Sequence, residues 1–225
     1  MKYRAVLFDG YGTLFSGGMD KLYEACQLIC DDHGLDLDGK GFLAEWDQVF
    51  FPLIRGDAFI TFREAHHRSL TTTFDTLGIT STPDQYVELI FKLLGEVTLY
   101  DEVRSTIAKL KGVPHGVVSN ADSDHLHAAL SSNALLFDLV VSSESAKAYK
   151  PSPTIFEPAL QVLGTQASET LYVGDSQEDD LVASNRAGMG MAWLNREGET
   201  LKPEIPRPTF EITSLDEVLE LIEGV

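Results

Sequence analysis

The chain has 225 residues, 44% of them apolar and 23% charged, which is ordinary globular material and enough for one large domain or a core with an insertion. Its formal charge of −18, from 35 acidic against 17 basic residues, argues against docking onto nucleic acid or anionic lipid, because both depend on basic patches. No apolar run approaches the roughly 18 residues of a spanning helix.

The first strand, Ala5-Val6-Leu7-Phe8, begins within a few residues of Met1. No signal peptide is therefore expected, and the expected compartment is the cytoplasm. Residues 19–33 have helical spacing (Leu22, Cys26, Ile29, Cys30) and stop at Asp31-Asp32-His33-Gly34. Cys26 and Cys30 fit one helix face better than a disulfide or a zinc site. From Phe42 to about Gly95 the pattern stays helical and aromatic, with no convincing strand. The expected division is a core of residues 1–15 and 97–225 with a helical insertion at 16–96.

Beyond Tyr100 helices and strands alternate. Helices are predicted over Glu102–Lys111, Asp124–Ser131, Pro153–Leu163, Asp179–Ala187 and Thr213–Leu221, the last with Asp216 and Glu217 complementing its dipole. Strands are predicted over Gly116–Ser119, Leu139–Ser142, Thr170–Asp175 and Met191–Leu194, and Arg196–Pro208 reads as a surface loop. Continuous apolar strands alternating with helices predict a doubly wound α/β fold with a parallel sheet.

Polar residues stand at four strand ends: Asp9, Ser119-Asn120, Ser142-Ser143 and Asp175. In a parallel sheet such ends lie along one rim, where open α/β sheets bind their ligands. Asp9, followed by a Gly-rich turn, is a carboxylate able to act as a nucleophile. Ser119 and Asn120 offer uncharged hydrogen bonds to an anionic oxygen, although Ser-Asn is also a common turn and cap pair. Lys150 precedes a proline and a helix start near the rim and can neutralise Asp9 and developing charge, with Lys147 as the nearby alternative. Asp175 and Asp180 bracket the turn after a strand. Mg²⁺ needs only one or two carboxylates besides water and substrate oxygens, and Asp9 with Asp175 can supply them. Asp179 and Asp180 are also ordinary first-turn acids.

These four segments, Phe8-Asp9-Gly10-Tyr11-Gly12-Thr13-Leu14, Ser119-Asn120, Lys150-Pro151 with Ile155-Phe156, and Gly174-Asp175 to Asp180, resemble the motifs of the haloacid dehalogenase-like hydrolases, from the first strand to about residue 195. The resemblance implies a Rossmann-like core and a helical cap at the insertion point. It implies Asp9 as nucleophile and Thr13 in the same catalytic loop. Ser119, Asn120 and Lys150 become substrate ligands. Asp9, the Tyr11 carbonyl and Asp175 would hold Mg²⁺, with Asp180 and Ser176 behind them.

Tyr11 departs from the phosphatases of that family, which carry a second aspartate there as general acid and base. A phenol, with its ordinary pKa of about 10, forgoes that help, typically about 10²–10⁴-fold. The 2-haloacid dehalogenases have Asp-x-Tyr-Gly-Thr-Leu-Phe, which Asp9–Phe15 matches. Against them, Trp46 is followed by Asp47 where they carry an arginine, Phe156 stands for a tyrosine, and Asp175 stands for a neutral residue. Arg55, Arg63 and Arg68 are other arginines of the insertion that could stand in for that arginine.

The favoured reading is a Mg²⁺-dependent phosphohydrolase acting on a small phosphorylated metabolite. The alternative is a metal-independent 2-haloacid dehalogenase, and a non-catalytic binding domain is third. The expected partner is a small-molecule substrate, with the chain a monomer or homodimer. Trp46, Phe50, Phe51, Phe59 and Phe62 are read as core before ligand contacts. The adjacent His66 and His67 point to different faces of a helix.

Overall fold

The computed structural model describes residues 3–56 and 58–223. The chain divides into two compact units, Met1–Ser16 with Thr98–Val225, and Gly17–Val97.

The first unit is built on a six-stranded parallel sheet in the order β5-β4-β1-β6-β7-β8. Its strands are β1 (Ala5–Phe8), β4 (His115–Ser119), β5 (Val140–Ser142), β6 (Thr170–Gly174), β7 (Gly190–Leu194) and β8 (Phe210–Ile212). β1, β6 and β7 are buried along their whole length, which is why they read as unbroken apolar runs. β1 sits at the centre, with Phe8 level with Val117 of β4 and with Val173 of β6. From β1 the chain order runs to β4 and β5 on one side and to β6, β7 and β8 on the other. The order reverses between β1 and β6, the place where doubly wound sheets open a crevice at their carboxyl ends. Asp9 and Asp175 are the residues that follow those two strands.

The helices of this unit are α5 (Val103–Lys109), α6 (Ser123–Ser132), α7 (Ser143–Ala146), α8 (Glu157–Leu163), α9 (Val182–Ala187) and α10 (Val218–Glu223). Three predicted helices are more finely divided than their periodicity implies. Pro153–Phe156 is a 3-10 turn ahead of α8, Gln177–Leu181 a wide π turn ahead of α9, and Leu215–Glu217 a 3-10 turn ahead of α10. β8 is an additional strand: at three residues with one buried side chain it is too short to show a period. A two-residue antiparallel ribbon, β2 (Phe15–Ser16) with β3 (Thr98–Leu99), is equally silent in the sequence.

The second unit is four helices, α1 (Gly18–His33), α2 (Gly39–Ile54), α3 (Phe62–Leu77) and α4 (Asp84–Leu94). Asp38 caps α2 by accepting from the Gly41 N–H at 2.7 Å, and Thr61 caps α3 by accepting from Glu64 at 3.2 Å. Its core is aromatic. The His66 ring lies 4.5 Å from that of Phe62, 4.8 Å from Phe50, 5.2 Å from Trp46 and 5.3 Å from Phe91. The Trp46 indole donates to the Ser69 hydroxyl at 2.6 Å. Trp46 and Phe50 are buried here as expected, while His67 faces solvent beside Asp84. α1 and α2 approach so closely at Gly39 that a Cβ there would stand 2.6 Å from the Tyr23 carbonyl oxygen. Among the described residues no helix is long and apolar enough to cross a membrane.

Candidate active site

β1 delivers Asp9 to the rim, and its backbone N–H is tied to the Val173 carbonyl at 2.9 Å. The chain then turns through Gly10–Phe15, closed by Leu14 and Phe15 N–H groups that both donate to the Gly10 carbonyl, at 2.8 and 2.9 Å. The turn requires Gly12, whose φ is +91°, and any Cβ there would lie 2.3 Å from Asp175 Oδ2. Thr13 emerges from this turn and its hydroxyl donates to Asp175 Oδ1 at 2.7 Å.

Two donors converge on one oxygen of Asp9. Lys150 Nζ lies 2.5 Å from Asp9 Oδ1, and the Ser119 hydroxyl, at the end of β4, donates to the same atom at 3.1 Å. Lys150 is only 3% exposed, whereas Lys147 faces solvent at the end of α7. Its remaining hydrogens go to Asp180 Oδ1 at 2.6 Å and to the Tyr172 hydroxyl at 3.0 Å. An ammonium has three N–H bonds, so all of them meet protein oxygens. Burial opposes its charge, but Asp180 and Asp9 together hold its pKa well above the ordinary lysine value.

Asn120 is committed to the backbone. Its side chain accepts from the Lys150 N–H at 2.8 Å and donates to the Lys150 carbonyl at 3.2 Å, which fixes where the lysine starts. Ser142 and Ser143 are structural as well: Ser142 caps α7, and Ser143 bonds both backbone groups of Ala121. Ser176 caps the π turn by accepting from the Asp179 N–H at 3.2 Å, and its own N–H donates to Asp180 Oδ2 at 2.9 Å. With Lys150 and Tyr172 on the other oxygen, Asp180 is fully engaged in support. Gly174 permits this, since a Cβ there would sit 2.5 Å from the Asp180 carboxyl carbon.

Asp9, Asp175 and Asp180 place one oxygen each within 4.8 Å of one another. With Lys150 as the ammonium beside them, three ionised carboxylates would leave a buried net charge of about −2, which the apolar surroundings disfavour. Burial first, and then the charges of Asp180 and Asp9, push the Asp175 carboxyl up to about 8. Burial also raises Asp9 to about 6, against the pull of Lys150. Either a proton on Asp175 or a cation relieves the conflict. The donors suit Mg²⁺ in number and hardness.

The Tyr11 ring lies 5.4 Å from Phe15 and is stacked on His125 at 6.1 Å. Its hydroxyl is buried without a hydrogen-bond partner among the described residues. Burial and then the charge of Asp9 raise its pKa far above the ordinary phenol value.

Three contributors escaped the sequence reading. Tyr172 looks like one more apolar residue of β6. Trp193 looks the same in β7, yet its indole donates to the Asp175 carbonyl at 2.9 Å. Gln177 is buried and ties the loop after β7 to the π turn, donating to the Glu199 carboxylate at 3.0 Å and accepting from the Lys202 N–H at 2.9 Å. A glutamine among acidic neighbours carries no sequence signal.

The geometry agrees with three comparisons. A pyrimidine 5'-nucleotidase of Escherichia coli (strain K12), YjjG, is 33% identical to this chain, with 99% of each chain covered. Haloacetate dehalogenase H-2 of Moraxella sp. (strain B) is 24% identical, covering 98% of each. A crystal structure of an L-2-haloacid dehalogenase superposes with a TM-score of 0.82 over 100% of both chains at 21% identity. The profile of the haloacid dehalogenase-like hydrolases matches residues 3–188. The chain is therefore a hydrolase of the haloacid dehalogenase-like family.

Proposed function

We propose that the protein hydrolyses a 2-haloacid through an ester on Asp9, which reverses the order of preference drawn from the sequence. Tyr11 carries this reading. A general acid and base needs a pKa near the working pH, and burial beside Asp9 keeps this phenol protonated far above it. Tyr11 can neither activate water nor readily supply the proton that an alkoxide leaving group needs. Halide leaves without one.

In the first step an Asp9 oxygen attacks C2 of the acid, the carbon–halogen bond breaks, and halide departs. Lys150 and Ser119 already hold Oδ1, so Oδ2 is the attacking atom. In the second step water adds to the Asp9 carboxyl carbon. The oxyanion forms on Oδ1, where both donors wait in place. Esterification of Asp9 removes one of the negative charges that hold a proton on Asp175, whose carboxyl stands at about 8 beside ionised Asp9, so Asp175 ionises and takes the proton from that water. It returns the proton to the departing 2-oxygen as the intermediate collapses, so a 2-hydroxy acid leaves, and the water's second proton is lost to solvent as the Asp9 carboxylate is restored. Lys150 acts on the nucleophile, not on the substrate.

A second reading rests on the three converging carboxylates and on the nucleotidase similarity. Asp9, Asp175 and the Tyr11 carbonyl would hold Mg²⁺, which neutralises charge on a phosphoryl group when bound. Asp9 would then attack phosphorus, and Lys150 and Ser119 would keep their roles at Oδ1.

Halide release from 2-chloropropionate in EDTA, set against phosphate release from p-nitrophenyl phosphate with Mg²⁺, decides between them. EDTA-resistant halide release supports the dehalogenase; Mg²⁺-dependent phosphate release alone supports the second reading. Asp175→Asn sharpens the test. The dehalogenase variant releases at most one halide per site and accumulates the ester, whereas multiple turnovers by D175N would remove Asp175 from the second step.

A further inference from the structure

Arg196 stands in the segment that reads as a solvated loop, yet its side chain is only 15% exposed. Asn195, just before it, is fixed to β8 through its N–H on the Ile212 carbonyl at 2.8 Å and its side chain on Glu211 at 2.7 Å. The guanidinium carbon Cζ lies over the Tyr100 ring, 3.8 Å from its centroid. Its Nη2 donates to the Glu102 carboxylate and, at 3.3 Å, to the Thr13 carbonyl. The Tyr100 N–H in turn donates to the Leu14 carbonyl at 3.2 Å. One side chain thus joins three segments: the turn after Asp9, the chain after β3, and the chain after β7.

What Arg196 holds is the backbone of the residue whose hydroxyl orients Asp175. The other terminal nitrogen, Nη1, is buried with no acceptor among the described residues. Leaving such a donor unpaired opposes stability, so this arginine is not accounted for as a stabilising ion pair alone. A lysine reaching the same place offers no delocalised guanidinium to set over the Tyr100 ring while it bonds Thr13 and Glu102.

We propose that Arg196 is a positioning residue: it fixes the Gly10–Phe15 turn and, through Thr13, the Asp175 carboxylate relative to Asp9. Small misplacements of reacting groups lower turnover steeply, by about a hundredfold for an ångström. The kinetic half of the test rests on the proposed function; the structural half does not.

The variants are Arg196→Met and Arg196→Lys, each followed by amide hydrogen exchange and by steady-state halide release from 2-chloropropionate. In R196M, exchange at Gly12, Leu14 and Phe15 should quicken by about tenfold or more while peptides of β1 and β6 keep their protection. Turnover should fall by about tenfold or more with KM within about twofold. R196K should restore neither. Should R196M not fold, Glu102→Gln loosens the same clamp and carries the same readouts. Unchanged exchange in the turn of a folded variant overturns the proposal, as does a rise shared equally by the whole sheet. If the wild-type protein releases no halide, the dehalogenase reading falls, and the exchange pattern still decides the role of Arg196.

Discussion

Lys150 has three hydrogens to give, and Asp9, Asp180 and Tyr172 take them all. The lysine is therefore held as a rigid charge beside Asp9, at the oxygen where, in the proposed hydrolysis, negative charge would return when water attacks the ester. Tyr172 is the member of this set whose removal is cleanest. Tyr172→Phe keeps the ring that packs 4.8 Å from Phe156 and removes only the hydroxyl. One N–H of a buried ammonium then lacks an acceptor, at a cost of about 1–3 kcal/mol. Thermal unfolding of Y172F should show that loss. Halide release should slow by about tenfold, chiefly in kcat, because the lysine gains freedom that the substrate does not correct. Wild-type turnover in Y172F would mean that Asp9 and Asp180 position the lysine without help.

At the scale of elements, α2 carries an exception to its own amphipathic pattern. Asp47, next to buried Trp46, is half-buried, and burial pushes its carboxyl up to about 6, with Arg55 pulling the other way. The folded form thus holds its proton more tightly than the unfolded chain does. Ionised Asp47 opposes folding above about pH 6, and the penalty vanishes as pH falls below the ordinary aspartate value near 4. Asp47→Asn should raise the melting temperature at pH 7.5 and leave it unchanged near pH 4; an equal gain at both would point to packing instead of charge. The same helix shows what sequence patterning reveals. Apolar runs announced β1, β6 and β7 because both faces of those strands are covered, and helical spacing announced α1 and a helical stretch beyond it that the structure divides into α2, α3 and α4. β8 and the β2–β3 ribbon were invisible because two or three residues carry no period. The candidate site was legible where a charged residue follows an apolar strand or precedes a proline at the rim, as with Asp9, Asp175 and Lys150. It was illegible where a supporting group hides in a role that packing alone also explains, as with Tyr172 and Trp193. Arg196 was hidden by its neighbours, since a loop rich in Gly, Pro and charge reads as solvated whatever one of its side chains does.

For the molecule as a whole, the raised carboxyls add with one sign. Asp9 and Asp47 near 6 and Asp175 near 8 mean that the native state binds more protons than the unfolded chain from about pH 4 to 8. Stability in EDTA should therefore fall as pH rises through that window, so melting is expected at a higher temperature at pH 6 than at pH 8.5. The net charge of −18 acts in the same direction through self-repulsion, and that part is relieved by salt. Mg²⁺ separates the two functional readings here too. A metal held by Asp9 and Asp175 would raise melting most at pH 8.5, where those carboxylates are ionised. A dehalogenase whose resting Asp175 carries a proton, given up once Asp9 is esterified, gives little response to Mg²⁺ at low millimolar concentration, beyond what an equal ionic strength of NaCl produces.

The proposed hydrolysis turns on where water strikes. A single turnover of 2-chloropropionate, with enzyme in excess and in water enriched in oxygen-18, followed by mass spectrometry of the peptide containing Asp9, reads that directly. The heavy oxygen should enter the Asp9 carboxylate, and the 2-hydroxy acid should carry oxygen from the enzyme. Heavy oxygen in the product, with none in the Asp9 peptide, would contradict it.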